Sequence, residues 1–262
     1  MARYDLGPGA AARSVAGFLA GLPADRLPRD GRFLAVFVPD GDPLADVARH
    51  VERTVFEAAF GNDEAVMTAE YAPYERDSLF VLVIDRERAV PAGAARIIDG
   101  RGKTLDDAPR FIGVDAAGIA AAHGLGTGRI WDCAVAAVLP EYRGDRSGLE
   151  VSSLLYRTYL IGGAQAGVVH STSMLDRGAY RNLAMLGVPM LPLAGSQPFP
   201  YLGSPENYAV YLHFPDIVAS VAARARELAG VDTPQARAGA LASHMVATGE
   251  GIDDRILLAV RL

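Results

Sequence analysis

The stretch IWDCAVAAVLPEYRGDRSG, Ile130 to Gly148, constrains the fold of this chain more than any other. A run of small apolar residues reads as a strand that ends in Pro140-Glu141-Tyr142. Arg143-Gly144-Asp145-Arg146-Ser147-Gly148 then turns into an amphipathic helix whose buried face is Val151, Leu154, Leu155 and Thr158. A strand feeding a Gly-containing turn at a helix start is a standard way to hold a phosphate. The amides of the first turn and the positive end of the helix dipole both face the anion. Two arginines in the turn add charge-assisted contacts. Such a turn needs no metal and suits a pyrophosphate or a phosphopantetheine tail.

Composition narrows the setting. With 262 residues, half of them hydrophobic and 21% charged, the chain is globular and long enough for one large or two small domains. A net charge of −6 speaks against a broad nucleic-acid-binding face. The single cysteine, Cys133, rules out an internal disulfide and points to a reducing compartment. The modest apolar run Val15–Leu22 is interrupted by Gly17 and Gly21, followed by Pro23, and no small-residue cleavage site follows. Nothing approaches the roughly 20 apolar residues of a membrane helix, so a cytoplasmic protein without membrane contact is expected. The five histidines show no metal-ligand spacing, and no metal is expected.

The pattern of elements can be read along the chain. Residues 1–31, rich in Gly, Ala and Pro, read as an extension with one short helix near Ala12–Leu19. Phe33–Val38 is a strand. Asp42-Pro43 opens a helix whose stripe is Leu44, Val47, Ala48, Val51, Val55, Ala58 and Ala59, closed by Gly61. Leu79–Ile84 and Ala92–Ile98 form a hairpin around the charged turn Asp85–Arg88. Asp99–Gly128, glycine-rich and without periodicity, reads as a long loop. Strands at Ile130–Leu139, Ala166–Ser171, Met190–Leu193 and Tyr208–Phe214 follow, with helices at Ala179–Leu186 and Asp216–Leu228 and an Ala-rich helical tail.

The turn Arg143–Gly148 resembles the donor-binding motif of the GNAT acetyltransferase superfamily: Gln or Arg, two residues, Gly, one residue, then Gly or Ala. Arg143 matches the first position and Gly148 the last, while Arg146 stands where the family usually has Gly. Ala179-Tyr180-Arg181-Asn182-Leu183-Ala184-Met185-Leu186-Gly187-Val188 resembles the family's later helix. The resemblance covers Phe33 to Phe214. It implies an α/β (α+β) fold in which a mixed central sheet, flanked by helices, splays between its fourth and fifth strands, here Ile130–Leu139 and Ala166–Ser171. It also implies an N-terminal extension (1–31), a GNAT-like acyltransferase domain (32–214) and a C-terminal helical extension (215–262).

The activity implied is transfer of an acyl group, above all acetyl, from acyl-CoA to an amine of a small molecule. Ala134, Val135, Ala136, Arg143, Gly144, Asp145, Arg146, Ser147 and Gly148 would bind the donor. Leu186–Leu193 is similar to the acyl-homoserine-lactone and N-acyl amino acid synthases, which take acyl groups from acyl carrier protein; that donor stays open. So does a non-catalytic CoA sensor, and a homodimer is compatible with either.

Three residues are candidates for the chemistry. Asp132 stands eleven positions before Arg143, where some family members place a general-base glutamate; the alternative is a strand-end carboxylate bonded to its neighbours. Tyr180 falls where the family's helix carries the tyrosine that protonates the departing thiolate, or else packs the core. His170 is the alternative base, or a hydrogen-bonded structural residue. Glu70, Tyr71 and Tyr74 lie in the region that often lines the acceptor site in the superfamily. Cys133 reads as a buried inert thiol.

Overall fold

A computed structural model describes residues 4–23, 31–143, 146–229, 235–246 and 256–257. In chain order the elements are α1 (Pro8–Gly21), β1 (Phe33–Pro39), α2 (Pro43–Phe60), α3 (Glu64–Tyr71), β2 (Ser78–Asp85) and β3 (Val90–Asp99), then the short helices α4 (Gly102–Asp107), α5 (Pro109–Ile112) and α6 (Ala116–His123). Next come β4 (Arg129–Val138), α7 (Arg146–Gln165), β5 (Val168–Asp176), α8 (Arg177–Met185), β6 (Leu191–Pro192), β7 (Phe199–Tyr201), β8 (Ser204–His213), α9 (Phe214–Leu228), α10 (Gln235–Val246) and β9 (Ile256–Leu257). Among the described residues no helix is long and apolar enough to cross a membrane. Two compact units emerge: Met1–Ile97 with Val135–Tyr159 and Thr248–Leu262, and Ile98–Ala134 with Leu160–Ala247.

In the first unit the end of β4 lies beside β3, then come β2, β1 and β9. β1 and β2 pair antiparallel from Phe33↔Asp85 to Pro39↔Leu79, and β9 adds in parallel at Ala35 and Val36. Phe33–Val38 is buried on both faces, as a central strand must be. α2 is set by the expected cap: Asp42 accepts from Leu44 N at 2.8 Å, Pro43 opens the first turn, and Gly61 closes the helix at φ 74°. Its predicted stripe is buried at Leu44, Val47, Ala48, Val51 and Val55, whereas Ala58 and Ala59 in the last turn are exposed. α1 packs on α2 through Ala11 and Val15. Beneath it a buried ion cluster joins Arg96 to Glu52 (2.8 Å) and Glu75 (3.1 Å), with the Tyr4 hydroxyl bonded to Arg96 as well. α7 approaches β3 at Gly93, where a Cβ would sit 2.8 Å from Val151 and 2.9 Å from the Ala137 carbonyl.

In the second unit the start of β4 pairs parallel with β5, and β5 pairs antiparallel with β8 from His170↔His213 to Asp176↔Asn207. β6 and β7 both lie on β8. Parallel and antiparallel ladders in each unit make the sheet mixed, as the fold expectation required. One face of β4, β5 and β8 carries an apolar cluster of Leu105, Ala108, Ile119, Leu193, Phe199, Ala209 and Tyr211. On the other, Trp131 meets Phe214 edge-on, and α7 passes so close that a Cβ at Gly163 would sit 2.2 Å from the Phe214 ring.

The expected loop Asp99–Gly128 is instead three short helices. Asp115 caps α6 by accepting from Gly118 N at 2.7 Å, Pro109 opens α5, and Gly113 and Gly124 end their helices at positive φ. These helices are too short for an apolar period to be visible, so only their caps signal them. β5 also outruns its expected end at Ser171, because its polar residues 171–173 break the apolar pattern while remaining on the ladder.

Candidate active site

Pairing of β4 with β5 ends at Asp132↔Thr172, although β4 runs on to Val138 and β5 to Asp176. This is the expected parting of the fourth and fifth strands. Beyond it, the Cys133 carbonyl takes a hydrogen bond from the Ser173 hydroxyl at 2.7 Å, a side chain standing in for a ladder amide. Ala134 is half-buried and Ala136 exposed, unusual for the middle of an inner strand. β5 here presents four polar residues in a row, His170, Ser171, Thr172 and Ser173, all buried. The Thr172 hydroxyl has no hydrogen-bond partner among the described residues. A buried hydroxyl left unsatisfied is costly, and its presence beside a strand separation marks the spot.

Asp132 is fully buried on β4. Gly100 N donates to the Ile130 carbonyl at 2.9 Å and so brings the start of α4 beneath the aspartate. Thr104 N donates to Oδ2 and the Thr104 hydroxyl to Oδ1, both at 2.7 Å. The carboxylate thus caps the first turn of α4. Burial pushes its pKa up to about 6, against the pull of the Thr104 and Lys103 donors. Neither Gly102 nor Thr104 could be picked out from the sequence, where they sit in a stretch without periodicity. Cys133, expected to be buried, is half-buried on the opposite face of β4, and desolvation with Asp132 next in the chain pushes its thiol up to about 12, which suits an inert cysteine.

His170 has both ring nitrogens engaged: Nε2 with the Thr127 carbonyl at 2.8 Å and Nδ1 with the Tyr211 hydroxyl at 2.9 Å. A carbonyl only accepts, so Nε2 carries the proton and Nδ1 accepts from the tyrosine. Tyr211 also stacks on His123, whose Nε2 accepts from Ala194 N at 2.8 Å. Burial, helped by neighbouring His170, lowers the pKa of His123.

Tyr180 lies in the first turns of α8, which Asp176 caps through Gly178 N and Ala179 N at 2.6 and 2.9 Å. Its half-buried ring stacks on Tyr208, centroids 4.1 Å apart. The Tyr208 hydroxyl is bonded to Glu206.

The arginine-led turn belongs to the first unit. Pro140–Tyr142 forms one 3₁₀ turn, and Arg143, exposed, donates from Nε to the Val138 carbonyl at 2.7 Å. Gly144 and Asp145 lie outside the described residues; Arg146, Ser147 and Gly148 open α7. Of the acceptor candidates, Glu70 and Tyr71 end α3 and Tyr74 lies in the following 3₁₀ turn. Tyr71 is buried beneath the Arg96 guanidinium, 4.4 Å from its ring centroid.

A fourth strand that runs parallel to the fifth, leaves it at a buried carboxylate and leads through an arginine turn into a helix defines the GNAT-like fold. Among solved structures the chain is similar to FeeM, an N-acyl amino acid synthase from uncultured soil microbes, with a TM-score of 0.53 at 18% identity over 72% of this chain and 94% of that one. TofI in a ternary complex with an inhibitor and MTA gives 0.48 at 12% identity (72% and 96%), and MesI, a CoA-dependent acyl-homoserine lactone synthase, 0.47 at 13% (76% and 96%). No family model and no curated protein matches the chain.

Proposed function

We propose that this chain is an N-acyltransferase that moves an acyl group from a CoA thioester to the amine of a small molecule. The observation that carries the proposal is the parting of β4 and β5 at Asp132↔Thr172, two buried polar residues on inner strands. A pantetheine amide fits such a place, because it can take up strand N–H and C=O groups that have lost their ladder. The turn led by Arg143 holds the donor's phosphates, and the backbone of Ala134, Val135 and Ala136 holds its arm. The amine nitrogen attacks the thioester carbonyl, the C–S bond breaks, and no covalent enzyme intermediate forms. Asp132 takes the amine proton, directly or through water. Tyr180 gives a proton to the departing thiolate. Proximity of the two reactants supplies much of the rate. Glu70 and Tyr74 serve the acceptor.

A second donor has its own support. The fold likeness to an N-acyl amino acid synthase and the segment Leu186–Leu193 support an acyl group presented on the phosphopantetheine of an acyl carrier protein. Calorimetry with acetyl-CoA, a long-chain acyl-CoA and acyl carrier protein, followed by a thiol-release assay over a panel of amines, tests both. Arg143→Ala should weaken CoA binding about tenfold by removing a charge-assisted contact. Unchanged binding in that variant removes the donor turn. Binding without thiol release for any amine makes the chain a sensor instead.

A further inference from the structure

The β2–β3 hairpin is far in sequence from the arginine turn, yet one buried carboxylate joins them. Asp85, the last residue of β2, has a side chain with no exposed surface. Its Oδ2 accepts from Arg32 Nη2 at 2.6 Å, from Arg32 Nε at 3.0 Å and from the Tyr142 hydroxyl at 2.9 Å. Its Oδ1 accepts from the amides of Glu87 and Arg88 at 3.2 and 3.3 Å. A hairpin cap explains the two amides and Arg32 explains the charge, but neither explains the tyrosine.

Tyr142 is the last residue of the 3₁₀ turn that precedes Arg143. It is buried, its ring packs edge-on against Phe33 at 5.8 Å, and Arg88 Nη1 reaches its hydroxyl at 3.3 Å. The backbone is fixed as well: Tyr142 N donates to the Leu139 carbonyl at 3.0 Å and Arg143 N to the Pro140 carbonyl at 3.1 Å. The side-chain contacts hold Tyr142, and the backbone bonds hold the turn from which Arg143 leaves. Burial alone would raise the Asp85 pKa, but Arg32 and Tyr142 together hold it below the usual carboxylate range. Burial and the bond to Asp85 push the Tyr142 hydroxyl up to about 12, so it stays a donor throughout the working range.

We infer that Asp85 and Tyr142 are positioning residues for the donor: the carboxylate anchors the tyrosine, and the tyrosine fixes the 3₁₀ turn from which Arg143 meets the donor's phosphates. This rests on the assignment of Arg143–Gly148 to phosphate binding. Preorganised donors bind an anion without a further ordering cost, so loosening the anchor should weaken the phosphate end of the ligand selectively.

The test compares CoA with pantetheine, which lacks the diphosphate, by calorimetry on wild type and Tyr142→Phe. Thermal unfolding first establishes that the variant is folded at the assay temperature. Wild type should bind CoA more tightly than pantetheine. Tyr142→Phe should bind CoA about tenfold more weakly and pantetheine as before. Equal losses for the two ligands, or no loss for either, overturn the inference while leaving the phosphate site standing. A wild type that binds CoA no better than pantetheine removes the phosphate site and the inference with it. Amide exchange on ligand-free wild type gives a reading that needs no variant. The N–H groups of Tyr142 and Arg143 should be protected well beyond those of an open loop, and exchange at the unstructured rate overturns the anchoring.

Discussion

Thr104 donates twice to Asp132, its backbone N–H to Oδ2 and its hydroxyl to Oδ1, each at 2.7 Å. The pair tolerates both protonation states. When Asp132 is ionised both Thr104 groups donate, and when it is protonated the hydroxyl turns to accept. A carboxyl that can lose and regain a proton with no more than a hydroxyl rotation beside it is suited to proton transfer, and a pKa of about 6 places that exchange near neutral pH.

Asp132→Asn should therefore fold, with its amide donating to the Thr104 hydroxyl, and should change two pH profiles. Burial raises the folded-state pKa above the unfolded value, so the wild type is favoured while Asp132 is protonated. That stability is full below about pH 4 and is lost as pH rises through about 6, a change of order 3 kcal/mol. Urea midpoints at stepped pH should show the decline in wild type and not in Asp132→Asn. The acyl-transfer rate should rise through the same range in wild type, fall at neutral pH in the variant and recover partly at higher pH, where free amine is plentiful. If His170→Gln and not Asp132→Asn loses the acidic limb, His170 is the base.

Gly102→Ala should be among the more damaging small substitutions. The residue sits at φ 65°, and an added Cβ would lie 2.3 Å from the Asp132 Cβ and 2.5 Å from its Oδ2. Strain and overlap together should cost about 1–3 kcal/mol. The pKa of Asp132 should shift with them, because Thr104 is displaced. A denaturation midpoint within error of wild type would show that α4 yields freely.

Thr172→Val separates packing from service to a substrate. Its hydroxyl is buried with no partner among the described residues, so removing it sacrifices no hydrogen bond. Stability should stay within about 1 kcal/mol of wild type or rise. Acyl transfer should slow, because the hydroxyl lies beside the last β4–β5 pair, where the pantetheine arm is proposed to enter. Unchanged thiol release would make Thr172 a packing residue.

Tyr180→Phe keeps the stacked pair with Tyr208 and removes only the phenolic proton. Donor affinity and unfolding temperature should be unaltered, and kcat should drop by ~10²–10⁴, the usual scale for a general acid. Turnover at the wild-type rate would leave Tyr180 as a stacking partner alone.

Elements whose signals are local were legible in the residues alone. Asp42, Pro43 and Gly61 bound α2 as expected because caps act within one turn, and the apolar runs Phe33–Val38 and Ile130–Leu139 could only be inner strands. The fold class and the parting of the fourth and fifth strands were legible through the arginine turn, whose spacing from Asp132 is a property of one strand. The surroundings of Asp132 emerge only from packing. Its two bonds cross 28 residues to a helix with no visible period. The bond from Tyr142 to Asp85 crosses 57. Neither distance leaves a trace in residue spacing, because it is strand register and the packing of short helices on a sheet face that bring such partners together. The continuation of β5 through Ser171, Thr172 and Ser173 was hidden for the same reason: pairing with β8 holds those polar residues in a strand that their own sequence does not announce.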